Sequence, residues 1–334
     1  LCGGYGLFVL ILFCVSAFIA SLIREKVAVI PAGFPLCAVV VFVAVGLSGC
    51  PIFRASDYNA MLGNVETREW TKDVQPKDSQ HVRLVPPELA AWLADKQLGE
   101  AKGAIGSQFS VAKSLSMLQI VRGELWYVFP LDFKGFNVWT SVDAVPGYVM
   151  VHAEDPRRPV ILKTNEKLVY TPGAFFGKNL ERHLWSEGYR WKGLTEFTLE
   201  VDDDGQPWWV VTVFEPTIAW SGERVIGVVI VNPTTGTNQF YPVGKAPPWV
   251  DRVIPGWFVK NYIKWRGEYH GGWWNSFWSH KDITEPEIPN VVYGADQHPY
   301  WVTVATSTNE GDQSMVGVYY TSTQTGKTTF YHAV

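Results

Sequence analysis

Between residues 1 and 53 the only charged side chains are Arg24, Glu25 and Lys26, which divide an almost unbroken apolar stretch into two runs. The first covers residues 5–23 and the second residues 27–53, each about the 20 residues that a helix needs to cross a bilayer's hydrocarbon core. This pattern predicts a transmembrane helical hairpin over residues 1–54. Pro31 and Pro35 move the regular part of the second helix to Pro35 and beyond. Arg24 and Lys26 in the connection place that loop in the cytoplasm by the positive-inside rule. The polar remainder then lies outside the cytoplasm. A Leu rather than a Met at position 1 implies residues before it, and an ending directly after a strand pattern implies residues beyond Val334. Leu47-Ser48-Gly49-Cys50 looks like a lipoprotein cleavage box, yet the residues that cleavage would remove are present, which favours an uncleaved helix.

After residue 54 the pattern changes to alternation, and it repeats. Pro207-Trp208-Trp209-Val210 is followed by Gly227-Val228-Val229-Ile230-Val231, Thr235-Gly236 and Phe240-Tyr241. Pro299-Tyr300-Trp301-Val302 is followed by Gly317-Val318-Tyr319-Tyr320, Thr325-Gly326 and Phe330-Tyr331. A degenerate copy runs from Leu125-Trp126-Tyr127-Val128 to Gly147-Tyr148-Val149-Met150-Val151. β-Branched and aromatic residues bounded by turn chemistry predict strands, and Gly236 and Gly326 suit the positive φ of tight hairpins. Ahead of each copy stands helical spacing: Leu89, Trp92 and Leu93; Leu180, His183 and Leu184; Phe258, Tyr262 and Trp265. The expected fold is α+β: the hairpin, then a linker with a first helix-plus-sheet unit over residues 55–165, a second over 166–246 and a third over 247–334.

The stretch from Glu200 to Gly205 into Trp208–Val211, then Gly227–Val231 into Asn232-Pro233-Thr234-Thr235-Gly236, resembles a PepSY-type domain. Such modules show a helix, a strand pair and a final Asp-x-x-Thr-Gly-Glu hairpin. The resemblance covers residues 170–243, and more loosely 247–334 and 85–160. Asn232 stands where the family has Asp, and Thr237 or Lys327 where it has Glu. The resemblance implies an accessory or modulator domain rather than an enzyme, and it brings no catalytic residues.

Composition narrows the function classes. Net charge is −4 without long charged blocks, so the electrostatic footprint of a nucleic-acid binder is missing. All four cysteines (Cys2, Cys14, Cys37 and Cys50) precede residue 54, so the polar part uses no disulfide and no thiolate metal site. It also has no Asn-X-Ser/Thr acceptor, Asn232 being followed by Pro, and both features favour a bacterial envelope. The sequence holds 16 Trp, an excess that suits cores, protein interfaces and sugar platforms alike.

Candidate chemistry is sparse. Thr325-Gly326-Lys327-Thr328 imitates a phosphate loop, but the glycine required at position 321 is Thr, so it reads as a hairpin turn. Glu200, Asp202, Asp204 and Gly205 match half of a calcium loop that lacks its final carboxylate, so they read as turn acids. Glu268, His270 and His280 lack metal-ligand spacing. Neither cofactor nor metal is expected, and no small-molecule ligand is indicated. The segment His270-Gly271-Gly272-Trp273-Trp274-Asn275-Ser276-Phe277-Trp278 sets four aromatics on a glycine-flanked loop. His270, Trp273, Trp274, Phe277 and Trp278 are therefore the candidate partner-binding residues, against the alternative that the rings plug the core between units. The function expected is a non-enzymatic, membrane-anchored scaffold or accessory subunit. Its partners would be membrane or envelope proteins, or a second copy, alongside the lipid bilayer and without nucleic acid. The alternatives are an extracytoplasmic protease modulator and a glycan-binding envelope protein using the Trp-rich loop.

Overall fold

The computed structural model describes residues 45–69, 82–308 and 314–332. The first apolar run and most of the second lie outside the described residues. What is described of the second run does not continue as a membrane helix. A helical turn ends at Ser48, and Cys50 is extended. A separate helix, α1 (Pro51–Asn59), then starts with Pro at its first position, where the missing N–H costs nothing. Arg54 and Asp57 pair at 3.0 Å on its outer side, while Ala55 and Tyr58 are buried against the rest of the molecule. Among the described residues no helix is long and apolar enough to cross a membrane. The expected transmembrane hairpin over residues 1–54, and the integral-membrane localisation drawn from it, are corrected accordingly.

The fold class also needs correction, because strands dominate. Beyond α1 the chain forms β1 (Val65–Glu69), α2 (Pro87–Gly99), β2 (Phe109–Val111), β3 (Met117–Val121), β4 (Glu124–Phe133), β5 (Tyr148–His152) and β6 (Ile161–Lys163). It continues through α3 (Leu180–Ser186), β7 (Gly193–Val201), β8 (Pro207–Ile218), β9 (Ser221–Val231), β10 (Asn238–Pro242) and α4 (Gly256–Tyr269). It ends with β11 (Thr284–Pro286), β12 (Asn290–Tyr293), β13 (Pro299–Ser307), β14 (Met315–Ser322) and β15 (Thr328–His332). Three sheets result: β2-β4-β5-β6 with β3 also on β4, β10-β9-β8-β7, and β1-β15-β14-β13-β11 with β12 also on β13. Every described strand pair is antiparallel except β1 with β15. In the outer sheets the first strand is broken in two against one partner. In the middle sheet β7 stays whole but shifts register between Thr195 and Phe197, where Glu196 takes φ +50°.

The sheets share cores instead of packing as self-contained modules. Trp209, Val211, Val213, Val229 and Val231 point from the middle sheet into one core, with the first sheet and α2. Their neighbours Val210, Val228 and Ile230 point into a second, with α1, α4 and the third sheet. A sheet covered on both faces reads as continuous apolar sequence, and β8 and β9 carry such runs. α1 and β1 lie on the third sheet's side of the molecule. The Tyr58 ring lies 5.1 Å from Trp265 and 5.9 Å from Tyr269 of α4. Asn59 Nδ2 donates to the Tyr269 carbonyl at 3.2 Å, and β1 runs parallel to β15 from Val65 opposite Thr328 to Glu69 opposite His332.

Candidate functional site

The aromatic loop leaves α4 at Tyr269 and is built by glycine and asparagine. Gly272 takes φ +78°, a conformation that favours glycine, and turns the chain into a short helix, Gly272–Trp274, that runs on into a π-turn over Asn275–Ser279. Asn275 closes the C-terminal end of the loop. Its Nδ2 donates to the Lys281 carbonyl at 2.8 Å, its Oδ1 accepts from Lys281 N–H at 3.1 Å, and its own carbonyl accepts from His280 N–H at 2.8 Å. Ser276 Oγ donates to Glu268 Oε1 at 3.2 Å, tying the loop back to α4.

Within this frame the rings support one another. Trp273 stacks on Phe277 with centroids 4.9 Å apart and planes 11° from parallel, and meets Trp274 edge-on at 4.8 Å. Trp278 lies 5.7 Å from Phe277. Trp273 is partly buried against the second core, whereas Trp274, Phe277 and Trp278 are 70%, 55% and 76% exposed. The loop therefore presents three of its four rings to solvent, while Trp273 anchors it on the second core. Ile52 and Phe53 of α1 are also exposed. His270 does not join the rings: its Nδ1 faces the Gly267 carbonyl of its own helix at 3.2 Å.

The remaining candidates fall apart in space or become structural. Among the described residues no three His, Cys, Asp or Glu side chains could hold a metal ion together. Thr325-Gly326-Lys327-Thr328 is the β14–β15 hairpin, with Gly326 at φ +71° and its N–H on the Ser322 carbonyl. Asn232–Gly236 makes the equivalent bond, Gly236 N–H to the Asn232 carbonyl. Asp202 is the one acid of the calcium-like loop that organises the turn, its Oδ1 accepting from Asp204 and Gln206 N–H and its Oδ2 from the Trp208 indole.

Glu200 is not a turn acid. It is fully buried, at the place where all three sheets meet. Its Oε2 accepts from Asp251 N–H at 3.0 Å and its Oε1 from Thr198 Oγ1 at 3.4 Å. Asp251, itself buried, accepts at Oδ2 from Ile120 N–H of β3 at 3.1 Å. The Tyr293 hydroxyl of β12 lies 2.9 Å from both that oxygen and the Leu118 carbonyl. Burial, reinforced by Asp251, pushes the Glu200 carboxyl up to about 8, and burial pushes Asp251 up to about 7. Arg252 is the cation that opposes both shifts, but it is held by Glu196 at 3.3 Å and lies over the Trp301 ring at 5.2 Å. The Tyr293 hydroxyl hydrogen thus has two acceptors within reach, Asp251 Oδ2 and the Leu118 carbonyl. The local sequence signal for this junction is an acid inside a strand run, Phe197–Val201, where water-exposed positions are few. Compared with known proteins, the chain matches no family model, no curated protein and no solved structure.

Proposed function

We propose that this chain is a non-enzymatic accessory or scaffold protein that binds another protein chain through Trp274, Phe277 and Trp278, with Ile52 and Phe53 at the border of the contact. The observation that carries the reading is the exposure of three aromatic rings on a loop already fixed by Asn275. Large aromatic anchors dominate protein interfaces, and a loop held in place before binding loses less conformational freedom on contact. The carboxyls that burial perturbs most, Glu200 and Asp251, are sealed inside the junction and serve the fold. An accessory role is also what the PepSY-like pattern implies.

Chemical cross-linking of the native protein, followed by mass spectrometry, tests this reading. Cross-links from Lys281 or Lys264 to one stoichiometric companion, lost in a Trp274→Ala/Trp278→Ala variant, are the expected outcome. The variant's thermal midpoint should stay near the parent's, because exposed substitutions usually change stability by no more than about 0.5 kcal/mol. A lone monomer, or a companion that binds the variant equally well, would overturn the proposal.

A further inference from the structure

A second site lies where the middle sheet emerges from beneath its cover. Trp208 and Ile230 belong to the face that enters the second core, and Gln239 and Tyr241 of β10 pair with Ile230 and Val228 on that face. The segment Pro247–Trp249 crosses this end of the sheet and leaves a cleft of about 370 Å³ between them, a volume in the range of small-ligand sites. Trp208 and Trp249 form its aromatic walls, with centroids 6.4 Å apart and planes 33° from parallel. Thr237, Asn238 and Gln239 form its polar rim.

We infer that this cleft binds a neutral saccharide, one sugar ring lying against the Trp208 and Trp249 indoles with its hydroxyls on Asn238 and Gln239. Three features select that ligand class. Neither Lys nor Arg lines the cleft, so an anionic ligand finds no counter-charge, and the one carboxylate, Asp202, is already committed to two backbone N–H groups and the Trp208 indole, which leaves a cation no second acid to bind. Side-chain amides donate and accept at once, which matches sugar hydroxyls that do the same. A proline-rich peptide docks on aromatic grooves too, but Trp208 has spent its indole N–H on Asp202 and has none to offer a peptide carbonyl. The site is separate from the Trp274 loop and does not depend on it.

Isothermal titration of the intact protein with cellotetraose, chitotetraose, maltotetraose and decaproline tests the inference. The expected result is saturable binding of one or more of the tetrasaccharides. At least a tenfold loss of affinity is expected in Trp249→Ala and in Asn238→Ala/Gln239→Ala, but not in Trp274→Ala. Trp249 packs on the second core, whereas Gln239 is exposed and Asn238 half-exposed. The rim variant therefore reports on binding even if Trp249→Ala perturbs the fold. Binding of decaproline alone, binding unchanged in the rim variant, or no heat with any tetrasaccharide would overturn it.

Discussion

Trp209 is the largest fully buried side chain of the described protein, and it stands near the start of β8 on the face shared with the first sheet. Removing it to Ala should cost about 3–5 kcal/mol, the range for emptying a large aromatic site in a packed core. Its indole N–H has no hydrogen-bond partner among the described residues, so Trp209→Phe loses volume but no bond and should cost less than half as much. Chemical denaturation of the two variants measures both numbers. Residue-level features that depend on local chemistry are legible from the sequence: the positive φ of Gly236 and Gly326 follows from the need of a tight hairpin. Glu200 is not legible in that way. Its neighbours Asp202, Asp203 and Asp204 make it look like one of a group of turn acids, and only the approach of Asp251, 51 positions later, shows it to be interior.

At the scale of elements, that junction ties β3, β7 and β12 to the segment before α4, and it does so through carboxyls that favour their protonated form. Both folded-state values lie above the ordinary carboxylate range, so the native state holds more protons than the unfolded chain between about pH 4 and pH 8. Their contribution to stability is complete below the unfolded values and declines as pH rises through about 7 and about 8. A series of thermal melts should therefore show the midpoint falling from pH 5 to pH 9. Glu200→Gln, which keeps an acceptor for Asp251 N–H, should flatten that slope; an equal slope in the variant would assign it elsewhere. Strands are easier to read than their partners at this scale. Continuous β-branched and aromatic runs mark β8 and β9, and the same residue types mark β13 and β14, but nothing local reveals that β2 and β3 share one neighbour, as do β11 and β12. The apolar stretch before Pro51 has composition but no tertiary information, so α1 reads from sequence as the end of a membrane segment. Its Tyr58 instead meets residues more than 200 positions away on α4, and Ala55 is buried in the same core.

For the whole molecule, the middle sheet's two buried faces decide how unfolding proceeds. Neither core survives if that sheet leaves, so calorimetry should show one transition with equal calorimetric and van't Hoff enthalpies, and two resolved transitions would show that the outer sheets stand alone. A repeat seen in sequence suggests separable units, yet side chains at successive positions of β8 serve different cores, a division that no repeat boundary marks. The pairing of β1 with β15 has a mechanical consequence. The two strands are parallel, so tension applied through the chain ahead of β1 and behind β15 pulls them past one another along their length. The hydrogen bonds joining the five residue pairs from Val65–Thr328 to Glu69–His332 are then loaded together and in shear. A hairpin pulled at its open end would instead yield one bond at a time. Under load these two segments, far apart in sequence, act as a clasp between residues 65–69 and 328–332.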